Sequence, residues 1–134
     1  MNGPKPDGWR VLEQWGKPAA VRRARWLSVM RWRRAVQRVL KPHRLNFTQW
    51  LVLDTTHRLI EEKGDAVSQN EVAARLEMSK MTVSHAMTAL ADKSLVSRGP
   101  DMHMPAWRIF VFDAGKEMLR RVSAGIDVVS RLNL

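Results

Sequence analysis

Met81, Ser84, His85 and Thr88, with Lys80 at the edge, share one arc of a helical stretch in the middle of the chain. At about 100° per residue, their spacing sets two hydroxyls, an imidazole and a thioether side by side. No acid interrupts this arc until Asp92. Hydroxyls and imidazoles exchange hydrogen bonds with base edges in a DNA major groove, and the Met81 thioether or the Thr88 methyl suits the thymine methyl. The opposite arc, Val83, Ala86, Met87 and Leu90, is apolar and gives the stretch a side to bury. An ordinary amphipathic helix with a solvated face has the same pattern. The order of the surrounding elements and the charge of the chain favour DNA.

The elements around this arc would hold it out. Ser68 and Glu71 have the spacing of a capping box and predict the start of a shorter helix with Val72, Ala73 and Leu76 on its apolar stripe. Glu77-Met78 reads as a turn, and Ser79 as the N-cap of the second helix. A helix-turn-helix of this kind places its second helix in the major groove, N-terminal residues on the base edges.

Composition bounds the partners. Twenty-three Lys and Arg stand against 13 Asp and Glu in 134 residues, a net charge of +10. A single domain with a modest core is expected at this length. The charge favours a polyanion, which nucleic acid or an acidic membrane surface would each satisfy. No apolar run is long enough to span a bilayer, and MNGPKPDGWR lacks the apolar segment of a secretion signal, so a cytoplasmic protein is expected. With no cysteine and four scattered histidines, neither a metal site, a catalytic triad nor a cofactor is indicated.

From Met1 to Lys17 the chain is punctuated by glycine and proline and reads as an extended or loosely helical arm. Trp9, Leu12 and Trp15 give it something to pack with, although a disordered arm fits as well. Pro18 suits the first turn of a helix running to Leu40, stopped by Pro42. Val29, Trp32, Val36 and Val39 form its expected buried stripe. From Arg22 to Arg44 there are nine Lys or Arg and no acid. These bases suit DNA phosphates, a solubilising face, or pairing with Glu61, Glu62 and Asp65. Thr48 is the expected cap of the next helix and Gly64 its left-handed terminator. Leu95 to Arg98 reads as a strand, Gly99-Pro100 as a turn, Met102 to Pro105 as a hairpin tip and Trp107 to Phe112 as the return strand. Asp113 caps a last helix whose seam, Leu119, Val122, Ile126 and Val129, looks long enough to meet a second subunit.

LNFTQWLVL, then VSQNEVAARLEMSKMTVSHAMTALADKSLVSR, a hairpin and FDAGKEMLRRV together resemble the MarR family of winged helix-turn-helix transcriptional regulators. The likeness covers residues 20 to 130 and is most specific from Glu71 to Arg98. It implies a mainly α fold with a small β-hairpin wing: an N-terminal arm over 1–17 and a single domain over 18–134. Within that domain, a winged helix over about 45–112 is flanked by dimerisation helices over about 18–41 and 113–134. It implies a homodimer that binds a palindromic operator in double-stranded DNA as a repressor, and release by a small aromatic effector. Three positions depart from the family pattern. Ser94 replaces a glycine before Leu95-Val96, the Asp-x-Arg of the wing is absent near His103 and Pro105, and Phe112 replaces a threonine.

By matching positions, the expected DNA-contacting residues are Gln69, Asn70, Lys80, Met81, Thr82, Ser84, His85, Thr88, Arg98, His103 and Arg108. The resemblance also places an effector pocket near Trp26, Met30, Trp50 and His57, where six tryptophans in the chain could supply aromatic walls. Packing in the core and dimer interface explains the tryptophans equally, and a lone histidine is commonly a packed residue. Two other functions stay open. One is a charge-driven DNA-binding module without an effector. The other is a winged helix whose basic face meets an acidic protein.

Overall fold

A computed structural model describes residues 7–101 and 104–132, with side chains placed over 17–99 and 108–132. Five helices and three short strands follow one another: α1 Asp7–Leu40, a 3-10 turn at Lys41–His43, α2 Phe47–Lys63, β1 Val67–Ser68, α3 Gln69–Leu76, α4 Lys80–Asp92, β2 Val96–Asp101, β3 Met104–Val111 and α5 Asp113–Leu132. The strands form an antiparallel sheet in the order β1-β3-β2. The architecture is mainly α with a small β wing, as expected.

Several boundaries differ from the sequence expectations. α1 begins at Asp7 rather than Pro18, which lies inside the helix. The arm therefore joins the first helix. Asn46, not Thr48, caps α2: its side chain accepts from the Gln49 backbone at 2.8 Å, while the Gln49 side chain accepts from the Asn46 backbone at 3.3 Å. At α3, Ser68 accepts from the Glu71 backbone at 3.1 Å, but the Glu71 carboxylate turns to Lys63 Nζ at 2.9 Å. Only half of the expected capping box forms, because a cation from the end of α2 competes for the carboxylate. Gly99-Pro100 is strand rather than turn, paired with Arg108 and Trp107. β1 carries no alternation long enough to be read from sequence, yet its Val67 pairs with Ile109 and is fully buried.

Residues from every helix enter the core. Val36 and Leu40 of α1, Val52 and Leu53 of α2, Val72 of α3, and Val83, Met87 and Leu90 of α4 meet Val96, Ile109 and Val122. Each such side chain contributes about 1.5–3 kcal/mol relative to exposure. α1 and α5 approach closely, with a Cβ on Gly125 falling 2.9 Å from Val39. Trp32 on α1 donates to Ser130 Oγ on α5 at 2.9 Å. On its other side the Trp32 ring meets Phe47 and Trp50 edge-on, at 5.1 and 6.4 Å. Two expected stripes change character here. Val29 is exposed, since none of the described residues covers that part of α1. Of the seam that looked long enough to meet a second subunit, Leu119, Val122 and Ile126 are buried in the chain's own core and Val129 is partly buried against it. Val128 and Leu132 are the exposed large apolar residues of α5.

Three helix ends close through a left-handed residue that is not glycine. Arg44, Glu77 and Ser94 have φ of 57, 53 and 59°, beside Gly64 at 73°. At each non-glycine end the following amide reaches back across the turn: Leu45 to Leu40, Met78 to Ala73 and Leu95 to Leu90, at 3.5, 3.0 and 3.0 Å. These bonds satisfy carbonyls the helices leave open.

Candidate nucleic-acid interface

α3 and α4 are joined by the tight turn that the left-handed Glu77 makes. Ser79 then caps α4, accepting from the Thr82 backbone at 3.1 Å, and its hydroxyl lies 2.8 Å from the Thr82 hydroxyl. Thr82 is thus tied to the cap. Val83, Ala86, Met87 and Leu90 are buried, so the opposite arc of α4 must face outward. Lys80, Met81, His85 and Thr88 are exposed and Ser84 half-buried, with Met81 the most open at 69 %. The helix presents the arc predicted for it.

The far end of α4 is anchored. Lys93 donates to the Arg44 carbonyl and, at 3.1 Å, to Gln49 Oε1. These bonds tie the C-terminus of α4 to the start of α2, leaving its N-terminal half outward.

Arg98 has a different partner set from a free wing residue. From β2 its guanidinium donates to Thr88 Oγ1 at 2.6 Å and to Ser84 Oγ at 3.0 Å. Thr88 Oγ1 also donates to the Ser84 carbonyl at 3.0 Å. The strand and the helix face are therefore one hydrogen-bonded unit, a link that spacing along the chain does not show.

Arg108 is placed inside the fold. It is half-buried, donates to the Ala66 carbonyl at 3.1 Å and lies 4.0 Å from Glu71, beside the β1–β3 pairing. Those partners tie it to the base of the wing. Gln69 is half-buried at the start of α3 with its amide oxygen shut off from solvent, whereas Asn70 is exposed. His103 lies outside the described residues.

The four residues assigned to an effector pocket have different surroundings among the described residues. Trp50 is packed against Phe47 at 5.7 Å, Trp26 is 56 % exposed, and Met30 is half-buried on α1. His57 lines an open groove of about 730 Å³ between α2 and α5 with Asp54, Arg58, Glu61, Glu62, Lys116, Leu119, Arg120 and Ser123. That lining holds no tryptophan, and Trp32 packs onto Phe47 and Trp50. The acids expected to meet the α1 arginines have closer partners: Glu62 pairs with Arg75 at 3.1 Å, Glu61 faces His57 at 3.7 Å, and Asp65 accepts from the Ala66 backbone. The hydrogen-bonded Arg75 guanidinium holds the Glu62 carboxyl below its ordinary range.

No family model matches the sequence, and no curated protein matches it. Solved structures match in fold. A MarR transcriptional regulator from Methanosarcina mazei Go1 superposes with a TM-score of 0.70 at 20% identity, over 84% of this chain and 72% of that one. A MarR-family regulator from Rhodococcus sp. RHA1 gives 0.67 at 21% identity, over 82% and 72%. A MarR mutant from E. coli, complexed with operator DNA, gives 0.67 at 14% identity, over 78% and 71%. The chain has the MarR winged-helix fold. In the terms of that fold, α3 and α4 are the helix-turn-helix, and β2 and β3 the wing. α1 and α5 lie alongside.

Proposed function

We propose that this protein is a sequence-specific, double-stranded-DNA-binding transcriptional regulator that acts as a homodimeric repressor on a palindromic operator. The observation that carries the reading is the face of α4. Its N-terminal half is capped, outward-facing and free of acids, and it bears groups suited to base edges on a buried platform. Such a face provides direct readout, and the net charge of +10 supplies the sequence-independent attraction to phosphate.

Dimerisation is supported by apolar surface that the described residues leave uncovered on the long helices: Val21, Trp26 and Val29 on α1, Val128 and Leu132 on α5. Isolated surface apolar residues are common, but a run of them on neighbouring helices suits a second copy. The groove beside His57 is walled mainly by charged side chains, which suit a polar or charged effector better than a flat aromatic one.

Titrating a labelled fragment from upstream of the protein's own gene against random DNA, at several salt concentrations, tests the proposal. Preference for the upstream fragment with a dimer-sized footprint is expected. Equal binding to both, falling steeply with salt, would replace it with a charge-driven binder, and no binding would turn attention to acidic protein partners.

A further inference from the structure

Three side chains from two elements make one hydrogen-bonded unit on the outward face of α4. Ser84 and Thr88 lie one helical turn apart, and Arg98 reaches both from β2, at 3.0 Å and 2.6 Å. A hydroxyl has one proton and two lone pairs. Thr88 commits its proton to the Ser84 carbonyl and one lone pair to the guanidinium, so no donor remains for a base. Ser84 gives one lone pair to Arg98 and keeps its proton. A charged donor on the oxygen polarises the O–H bond and makes it a stronger donor in turn. The positive guanidinium beside it also disfavours an approaching amino group.

We propose that Arg98 is a positioning residue that sets the hydrogen-bond polarity read by α4. By donating to both hydroxyls it makes Ser84 a donor and removes Thr88 as one. The helix then selects a base edge that presents an acceptor at the Ser84 position, a purine N7, guanine O6 or thymine O4, against the amino group of cytosine. This rests on the DNA-binding reading above and deepens it, since that reading names the face but not its polarity. A phosphate contact by Arg98 would behave differently, adding affinity to all sequences alike and carrying no preference.

A preferred site is first selected from a randomised duplex library with the wild-type protein. Affinity for that site and its single-base variants is then measured across a salt series for the wild type, Arg98→Lys, Arg98→Gln and Ser84→Ala, with thermal melts confirming each fold. Lysine keeps the charge and loses the two-pronged donation. A roughly tenfold loss of discrimination at one base pair is expected in both Arg98 variants. The salt slope of Arg98→Lys should match the wild type, and adding Ser84→Ala to it should cause no further loss at that base pair. Ser84→Ala alone, a change at a partly exposed helix position, should lose the same preference.

Unchanged base preferences in Arg98→Lys, with Arg98→Gln weaker on every sequence and its salt slope lower by about one, would overturn the proposal in favour of phosphate contact. Ser84→Ala without effect on preference would overturn it however the Arg98 variants fold. A wild type that selects no sequence would overturn the DNA-binding reading itself, and this inference with it.

Discussion

Replacing Ser94 with glycine should stabilise the protein by about 0.5–1 kcal/mol. Ser94 closes α4 at φ 59°, a left-handed conformation in which a Cβ crowds the following carbonyl at a cost of about 1–2 kcal/mol. Glycine relieves that crowding but loses about 0.5–1 kcal/mol in backbone entropy on folding, and the difference is the expected gain. Nothing else should change. The Ser94 side chain is exposed and makes no hydrogen bond among the described residues. The bonds that define the end of the helix, Ser94 N–H to Ala91 at 2.9 Å and Leu95 N–H to Leu90 at 3.0 Å, are backbone bonds that glycine keeps. Urea melts at several protein concentrations would read the effect as a higher midpoint at constant slope, and association would show separately as a concentration dependence. A thermal midpoint about 2–4 °C higher is the corresponding shift. An unchanged or lowered midpoint would refute the claim that this helix end stores strain. The mirror change, Gly64→Ala, meets no atom within 4 Å. It should therefore destabilise through its φ of 73° alone, by about 0.5–1 kcal/mol once the entropy that alanine saves is set against the strain.

Arg108→Ala should lower stability by about 1–3 kcal/mol, because the Ala66 carbonyl loses a charged donor, and a DNA salt slope equal to wild type would confirm that it does not contact phosphate. Trp32→Phe and Ser130→Ala should each lose about 0.5–1.5 kcal/mol for the bond joining α1 to α5; a double mutant as unstable as the two losses added would show that they do not interact. The Glu62 carboxyl is depressed in the folded state by Arg75, so its contribution is present above the unfolded carboxyl value and is lost as pH falls through the folded one. Melts of Glu62→Gln and wild type should therefore differ at neutral pH and converge in acid; a gap that persists at the lowest pH would contradict this.

Local pattern determined much of this protein. The buried and outward arcs of α4, the cap at Ser79, the left-handed Gly64 and the helix-turn-helix order all follow from spacing, because helix periodicity and capping act over one or two turns and are written in neighbouring residues. Tertiary structure decided where elements distant in sequence compete for the same groups. Arg98 and Arg108 read alike as DNA contacts in the sequence; only when β2 is laid beside α4 does Arg98 meet Ser84 and Thr88, and only β1, too short to show a period, brings Ala66 and Glu71 beside Arg108. The apolar seam of α5 has the same pattern whether it meets a partner or its own chain. Only the tertiary packing shows Leu119, Val122 and Ile126 buried in the chain's own core, with Val129 partly covered. Tryptophan count likewise suggested a ligand wall, while the edge-on meeting of Trp32 with Phe47 and Trp50 makes those rings core. A residue's type fixes which bonds it is able to make. Which of them it does make depends on the neighbours that folding delivers.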